Sequence, residues 1–167
     1  MTLSIIMPVL NEAADIEAAL RALAPFRARG VELIVADGGS SDRTADLAAS
    51  LADRVITAPR GRAAQMNAGA AVATGNVLLF LHADTQLPAD ADHLVCDGLD
   101  ASRCAWGRFD VRIEGSGLLG IVAAMMNARS RLTGIATGDQ AMFMTVAAFE
   151  AVGGFPQIAL MEDVALS

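Results

Sequence analysis

Residues 76–85 read Asn-Val-Leu-Leu-Phe-Leu-His-Ala-Asp-Thr, and this stretch decides the fold class. Its unbroken apolar run is typical of a strand that is buried on both faces, which places it at the centre of a parallel sheet. Short apolar runs alternate with helical patterns along the rest of the chain. That alternation predicts an α/β, Rossmann-like layered domain with a mainly parallel central sheet flanked by helices.

The same patterns predict where each element lies. The strands are expected over residues 4–9, 32–36, 54–57, 76–81, 106–113 and 140–145. A first helix is expected after Asn11, with Ile16, Leu20 and Leu23 on its buried face. Further helices are expected over residues 42–51, 63–73, 90–99, 118–132 and 146–152, and the last should end at Gly153-Gly154.

Composition excludes several classes of protein. The chain has 167 residues, 54% of them hydrophobic, which suffices for a single domain over residues 1–167 and excludes a disordered chain. A net charge of −7 argues against a nucleic-acid partner. The two cysteines, Cys96 and Cys104, predict buried thiols in a reducing compartment rather than a zinc site.

The N-terminus shows no targeting segment, so a cytoplasmic protein is predicted. The most membrane-like stretch, residues 117–126, is well short of the roughly 20 residues of a spanning helix. It predicts a core helix, with a surface that touches lipid as the alternative. On that alternative the protein would make a peripheral contact at the inner face of the membrane. Association into a homo-oligomer stays open.

Polar residues follow three of the predicted strands, at the edge where α/β sheets bind their ligands. They are Asn11-Glu12 after the first strand, Asp37-Gly38-Gly39 after the second and His82-Ala83-Asp84 after the fourth. For Asn11 alone, helix capping is the simpler interpretation. Asp37 is either part of a plain turn or an acceptor for a base or ribose. A Gly-rich phosphate loop does not follow the first strand, so a Rossmann dehydrogenase fits badly.

Two further features point to a phosphorylated ligand. A carboxylate such as Asp84, at the end of an apolar strand, can hold a hard divalent cation that neutralises a diphosphate, and His82 is a candidate second ligand. The alternative is a loop-capping Asp beside a hydrogen-bonded His. The sequence Arg60-Gly61-Arg62 supplies cationic donors suited to a base or a phosphate, with solvated arginines as the alternative.

Taken in order, these motifs resemble those of glycosyltransferase family 2, which has the GT-A fold. The family's opening is resembled by Pro8-Val9-Leu10-Asn11-Glu12 and by Asp37-Gly38-Gly39-Ser40-Ser41-Asp42-Arg43-Thr44. A subgroup with a His-x-Asp metal motif is matched by Arg60-Gly61-Arg62-Ala63-Ala64-Gln65-Met66-Asn67-Ala68-Gly69 and Leu81-His82-Ala83-Asp84-Thr85. The acceptor-side segment and its Glu-Asp motif are matched by Gly153-Gly154-Phe155 and Glu162-Asp163.

The resemblance implies an inverting transferase that uses a nucleotide-diphosphate sugar, a divalent metal (Mn²⁺ or Mg²⁺) and an unknown acceptor hydroxyl. Residues 1–87 then form the nucleotide-sugar-binding half, and residues 88–167 form an acceptor-side half that looks C-terminally short. By position, the resemblance implies substrate contacts for Pro8, Val9, Asn11, Glu12, Asp37, Gly38, Arg60, Gly61, Gln65 and Glu162, metal contacts for Asp84 and His82, and the role of general base for Asp163.

The sequence departs from the family pattern at two positions. His82 stands where the usual Asp-x-Asp motif has its first carboxylate, and Leu10 stands where many relatives have an aromatic residue that stacks on the base. A nucleotide- or sugar-binding fragment without turnover and a nucleotidyltransferase-like enzyme remain alternatives. The Glu162-Asp163 pair alone is also compatible with a helix start. Because only four residues follow Asp163, we expect the chain to bind donor and to position this residue poorly.

Overall fold

The computed structural model describes residues 1–102, 104–113, 117–133 and 140–156. The strands in these ranges are β1 (Leu3–Val9), β2 (Glu32–Asp37), β3 (Arg54–Thr57), β4 (Val77–Phe80), β5 (Trp106–Gly107) and β6 (Phe143–Thr145). The helices are α1 (Ile16–Ala22), α2 (Ala24–Ala28), α3 (Thr44–Ala48), α4 (Arg62–Val72), α5 (Ala91–Ser102), α6 (Gly117–Thr133) and α7 (Val146–Val152).

The strands form one sheet in the order β3-β2-β1-β4-β6-β5. The pairs β1–β2, β1–β4 and β2–β3 are parallel, whereas β6 runs antiparallel to both β4 and β5. The apolar strand β4 therefore lies at the centre, as predicted. Val9 is in register with Asp37, and Ile6 with Phe80. The carboxyl ends of β1, β2 and β4 thus lie side by side at one edge of the sheet.

Alternate side chains of the central strands pack against helices on opposite faces of the sheet, as the period of two requires. One face carries α1, α2, α3 and α5, and its core includes Ile16, Leu20 and Leu23, which confirms the predicted buried face of the first helix. The other face carries α4 and α7 and buries Met66 and Phe149. Both faces of the sheet are covered, so the layered α/β prediction is confirmed.

The first helix begins later than predicted. Asn11 adopts a positive φ of 55°, and α1 begins only at Ile16. The Asn11 side chain accepts a hydrogen bond from the Ser41 backbone N–H at 2.8 Å instead of capping the helix. The capping interpretation of Asn11 is therefore wrong, because its amide is used between two loops.

The fifth strand is shorter than the predicted 106–113. Beyond Gly107, both backbone groups of Val111 are bonded to the side-chain amide of Asn127, with N···O distances of 2.9 Å. The Phe109 N–H donates to the Gln140 carbonyl at 2.8 Å. The Asn127 side chain thus takes the backbone hydrogen bonds of Val111 that a neighbouring strand would make, and the strand does not continue to residue 113. Strand β6 and helix α3 are likewise shorter than predicted.

Two predictions of burial are also wrong. Cys104 is exposed and Cys96 is half-buried, although burial still raises the pKa of the Cys96 thiol. In α6, the exposed apolar side chains among those described are Leu119, Val122, Met125 and Leu132. Within the stretch 117–126, the core-helix prediction is therefore wrong for Leu119, Val122 and Met125, whereas Ala123 is buried. Among the described residues, no helix is long and apolar enough to cross a membrane.

Candidate active site

A cleft of about 380 Å³ opens at the carboxyl edge of the sheet. Three segments line it: Pro8, Val9, Leu10 and Glu12 after β1, Arg60, Gly61, Arg62 and Gln65 around the start of α4, and His82, Ala83 and Asp84 after β4. Its volume lies within the roughly 300–1,000 Å³ usual for small-molecule sites. The fold thus brings together eight of the residues predicted from sequence: Pro8, Val9, Glu12, Arg60, Gly61, Gln65, His82 and Asp84.

Asn11, Asp37 and Gly38 do not line the cleft: Asn11 and Gly38 lie in the loops that support it, and Asp37 is the last residue of β2. We call residues 10–13, after β1, the first loop, and residues 38–43, after β2, the second loop. The Asn11 N–H donates to the Ser40 hydroxyl at 2.8 Å, and the Asn11 side chain accepts from Ser41. These bonds join the two loops, so the first loop has a fixed position at the cleft mouth.

Helix α3 and its preceding Asp extend this contact between loops. The Thr44 hydroxyl accepts from the Glu12 N–H at 2.8 Å, and the Asp42 carboxylate accepts from the Ala13 N–H at 3.1 Å. The hydroxyl of Thr44 in turn donates to Asp42, and this hydrogen bond lowers the pKa of the Asp42 carboxyl. The charged form of Asp42 therefore helps to hold the backbone of Glu12, which lines the cleft.

Asp37 is buried, with 5% of its surface exposed, and its carboxylate faces the second loop. It accepts hydrogen bonds from the Gly39 N–H at 3.2 Å, from the Ser40 N–H at 3.0 Å and from the Ser40 hydroxyl. A carboxylate has about four acceptor sites, so some capacity remains for a ligand donor. The observed contacts of Asp37 are those expected of a residue in a turn. Its predicted role as an acceptor for a base or ribose stays a prediction.

Gln65 joins the ends of the neighbouring strands β1 and β2. Both protons of its amide nitrogen are used, one on the Val9 carbonyl at 2.7 Å and one on the Ala36 carbonyl at 2.8 Å. The side chain is 3% exposed and lines the cleft floor. With both donors used, only its oxygen is available to a ligand, so Gln65 can accept a hydrogen bond but cannot donate one.

The start of α4 makes one wall of the cleft electropositive. Gly61 precedes the helix with a φ of 133°, a conformation that side chains with a Cβ rarely adopt. The first turn of the helix then presents free N–H groups at the cleft, where anions are favoured. Arg60 and Arg62 are exposed beside it, and neither has an ion-pair partner within the described ranges. Arg62 belongs to the Arg60-Gly61-Arg62 motif of cationic donors but is not among the contacts that the family resemblance implies.

The opposite wall carries the residues predicted to bind a metal. His82 is buried with 8% exposure, whereas Asp84 is exposed and its carboxylate accepts from the Thr85 hydroxyl at 3.3 Å. No group of three His, Cys, Asp or Glu side chains suited to a metal occurs among the described residues. The donor set fits a divalent cation that takes its remaining ligands from a diphosphate and water, as Mg²⁺ usually does.

A second cavity of about 370 Å³ adjoins the cleft and shares Glu12, Ala83 and Asp84 with it. It lies between α1 and the loop after β4, which also contribute Ala19 and Leu87 to its lining. The predicted site residues Glu162 and Asp163 lie outside the described residues. The described part of the site is therefore the cleft, with Arg60 and Arg62 on one part of its lining and His82 and Asp84 on another.

The sequence model of glycosyl transferase family 2 matches residues 4–149, which include all three cleft segments. The chain belongs to this family. A curated relative, the PGL/p-HBAD biosynthesis glycosyltransferase of Mycobacterium tuberculosis, is 42% identical over 91 residues, a stretch that covers 50% of this chain and 36% of the relative. The same values hold for the Mycobacterium bovis protein of that name. The matched stretch is thus about a third of these relatives' length.

Solved structures show the same fold at low sequence identity. TarS 1-349 of S. aureus has a TM-score of 0.77 and 19% identity, with 99% of this chain and 54% of that chain covered. The mannosyltransferase PcManGT of Pyrobaculum calidifontis, in complex with GDP-Man and Mn²⁺, has a TM-score of 0.75 and 22% identity. The match covers 98% of this chain and 50% of that chain. Glucosyl-3-phosphoglycerate synthase of Mycobacterium tuberculosis, in complex with Mn²⁺, UDP-glucose and phosphoglyceric acid, has a TM-score of 0.67 and 21% identity. The match covers 89% of this chain and 58% of that chain. The fold of this family member is GT-A, and the chain spans about half the length of these neighbours.

Proposed function

We propose that this chain carries the donor-binding part of an inverting glycosyltransferase, which moves a sugar from a nucleotide-diphosphate sugar to an acceptor hydroxyl. The observation that carries the proposal is the cleft itself. Three segments that are distant in sequence, each resembling a motif of family 2, line one cavity with a cationic wall and an acidic wall. That division of charge suits a diphosphate held between arginines and a cation.

The cationic wall stabilises the leaving group. As the glycosidic bond to the diphosphate breaks, negative charge develops on the phosphate oxygens. Arg60 and Arg62 supply fixed positive charge there, and the N-terminus of α4 adds the partial charge of its free N–H groups. These groups are in place before the reaction, so little reorganisation is needed when the charge appears.

Asp84 and His82 would hold Mn²⁺ or Mg²⁺ on the acidic wall. A bound divalent ion there would supply charge neutralisation at the diphosphate. Two of the structural neighbours were solved as complexes with Mn²⁺ and a nucleotide sugar. Because the cation takes the diphosphate as a ligand, metal and donor should bind cooperatively.

The nucleoside lies, in this proposal, along the joined loops after β1 and β2. Pro8, Val9 and Glu12 contribute the cleft surface, while Asp37 reads the base with its remaining acceptor capacity. Asn11 and Gly38 act by shaping the loops. The donors bound by the structural neighbours include UDP-glucose, UDP-GlcNAc and GDP-Man, so uridine and guanosine diphosphate sugars are the first to test.

Inversion requires a base on the acceptor side. In this proposal, Asp163 removes the proton of the acceptor hydroxyl as the oxygen attacks the anomeric carbon opposite the leaving diphosphate, with Glu162 beside it. Residues 1–87 form the donor-binding half and residues 88–167 contribute to the acceptor side. The acceptor is a hydroxyl compound whose class is open.

A cytoplasmic location, association between copies of the chain and a peripheral membrane contact are further expectations. The exposed apolar side chains of α6, such as Met125 and Leu132, offer a surface for the membrane contact. Sedimentation with vesicles of anionic and of neutral lipid tests it, since only a lipid contact makes the chain pellet with vesicles.

Product analysis separates the proposed activity from its alternatives. The chain is incubated with Mn²⁺ and a panel of nucleotide sugars, and the released nucleotide diphosphate and the anomeric configuration of the sugar are measured. A transferase releases the diphosphate and, with water as acceptor, a sugar of inverted configuration. A fragment that only binds the donor releases no diphosphate, and a nucleotidyltransferase, in a parallel incubation with a nucleoside triphosphate and a sugar phosphate, releases pyrophosphate. Binding without release would leave only the donor-binding role of this chain, whereas release of pyrophosphate, or no binding of any nucleotide sugar, would contradict the proposal.

A further inference from the structure

Asn67, on α4, forms a pair of hydrogen bonds with the backbone of Phe155, 88 residues further along the chain. Its side-chain nitrogen donates to the Phe155 carbonyl at 2.9 Å, and its side-chain oxygen accepts from the Phe155 N–H at 2.9 Å. The amide therefore binds both polar groups of one residue, as a neighbouring strand would. We call this contact the Asn67–Phe155 pair.

The turn that presents Phe155 is shaped for this pair. Helix α7 ends at Gly153, which has a φ of 80°, and Gly154 follows with a φ of 74°. A Cβ at Gly154 would lie 2.8 Å from the Asn67 side-chain oxygen. Glycine at 154 is thus required both by the backbone conformation and by the approach of the amide.

The side chain of Phe155 fixes the other side of the turn. It is 3% exposed and packs edge-on against Phe80, with ring centroids 4.7 Å apart. Phe80 is the last residue of β4, directly before the segment that carries His82 and Asp84. The turn is therefore attached both to α4 and to the strand that leads to the acidic wall of the cleft.

Helix α4 connects this turn to the donor side. Gln65, two residues before Asn67, binds the ends of β1 and β2, and the helix begins in the cationic wall of the cleft. At about 1.5 Å of rise per residue, the two amides are only about 3 Å apart along the helix axis. A short rigid element thus links the floor of the cleft to the turn at residues 153–155.

We propose that Asn67 is a positioning residue, which fixes the turn at residues 153–155 relative to the cleft and so sets where the chain leaves toward Glu162 and Asp163. This inference rests on the proposed function, because it assigns the base to the segment that follows the turn. Loss of the pair should therefore slow the chemical step and spare donor binding, since positioning contributes much of the barrier reduction.

The test compares Asn67→Ala with a matched control, Asn76→Ala. Asn76 also binds backbone through its side chain, accepting from the Thr2 N–H at 2.8 Å, but it lies at the amino-terminal edge of the sheet. Asn67→Asp is a second variant that keeps the size of the side chain and removes the donor to the Phe155 carbonyl. Steady-state release of nucleotide diphosphate from the preferred donor, with Mn²⁺, gives kcat and KM. Hydrogen exchange at the Phe155 amide reports the pair directly.

We expect Asn67→Ala and Asn67→Asp to lower kcat at least 10-fold, with KM for the donor within twofold of wild type. Exchange at the Phe155 amide should accelerate at least 10-fold in Asn67→Ala, while the Leu81 amide, bonded to Ile6, keeps its rate. Asn76→Ala should keep the wild-type kcat. An active wild type with Asn67→Ala no slower than Asn76→Ala would overturn this inference alone. A wild type that binds no nucleotide would instead overturn the proposed function.

Discussion

The side chain of Gln65 lies directly over the α-carbon of Gly38. A Cβ built at Gly38 would be 2.9 Å from Cδ of Gln65, closer than such atoms approach in folded proteins. Gln65 cannot move aside without breaking its hydrogen bonds to the Val9 and Ala36 carbonyls. The two residues therefore set the spacing of β1 and β2 at the point where both strands enter the cleft.

The first prediction concerns this pair. Gly38→Ala should lower the free energy of unfolding by about 1–3 kcal/mol, because overpacking a fixed side chain is of that order. Adding Gln65→Ala should recover part of the loss, since the added methyl then has room. Urea unfolding of the two single variants and the double variant measures the coupling. Gly98→Ala is the control, because a Cβ there meets nothing within 4 Å. If the losses of unfolding free energy in the two single variants simply add in the double variant, the methyl group of Ala at position 38 does not contact Gln65, and this prediction is wrong.

The second prediction concerns the metal. Asp84→Asn should abolish the Mn²⁺-dependent part of nucleotide diphosphate binding and leave the unfolding temperature of the free protein unchanged, because Asp84 is exposed. Titration calorimetry with and without Mn²⁺ measures the effect. Asp97→Asn, at an exposed position on α5, removes the same charge far from the cleft lining and should bind as wild type does. Unchanged metal dependence in Asp84→Asn would place the cation elsewhere.

The third prediction concerns Asp37. Asp37→Ala should weaken binding of the preferred nucleoside diphosphate more than binding of those with other bases. The reason is that the hydrogen-bond donor of the preferred base would be left buried and unpaired, which costs about 1–3 kcal/mol. Binding of the four nucleoside diphosphates to both proteins gives the comparison. An equal loss for all four bases would limit Asp37 to shaping the second loop, through its bonds to Gly39 and Ser40.

The fourth prediction is a pH dependence of stability. Arg27 donates hydrogen bonds to the Asp53 carboxylate, which also accepts from the Leu33 N–H at 2.8 Å, and the bond from Arg27 lowers the pKa of Asp53. A carboxyl whose pKa is lower in the folded state stabilises the fold above its ordinary pKa of about 3.9 and loses this effect as the pH falls through the folded value. Asp53→Asn should therefore lose less stability than wild type between about pH 5 and about pH 3.

Urea unfolding at a series of pH values measures that slope. The control is Asp100→Asn, an exposed carboxyl on α5 for which the described structure gives no ion pair. It should keep the wild-type slope. A slope in Asp53→Asn as steep as in wild type would show that other carboxyls dominate acid unfolding.

The sequence predicts the strands within residues 1–87 well because its signals there are local. The strand Arg54–Thr57 has the predicted bounds, and α4 is displaced by one residue from its prediction. The convergence of the strand ends also follows from sequence, since parallel neighbours must present their carboxyl ends at one edge. Most of the residues that line the cleft, among them Glu12, Arg60 and Asp84, are therefore predictable from the sequence.

Features that depend on distant partners could not be predicted. The extended segment after Gly107 pairs with the Asn127 side chain rather than with a strand, and no local pattern indicates this. The same holds for Asn11, whose amide is used by Ser41 rather than by its own helix. The double role of Gln65 in the cleft and between the strands likewise requires the register of β1 and β2.

Metal-dependent binding of a nucleotide-diphosphate sugar in the cleft is the central claim, and a thermal-shift panel tests it most directly. Wild-type chain is heated with uridine, guanosine, adenosine and cytidine diphosphates and their sugars, each with and without Mn²⁺. A ligand at 100 times its Kd stabilises the fold by about 2.7 kcal/mol, and a chain of this size gains about 2–4 °C in Tm per kcal/mol. We predict such a rise for one base and its sugar, in the presence of Mn²⁺ only, and its loss in Asp84→Asn. A Tm that no nucleotide changes, with or without Mn²⁺, would contradict the account.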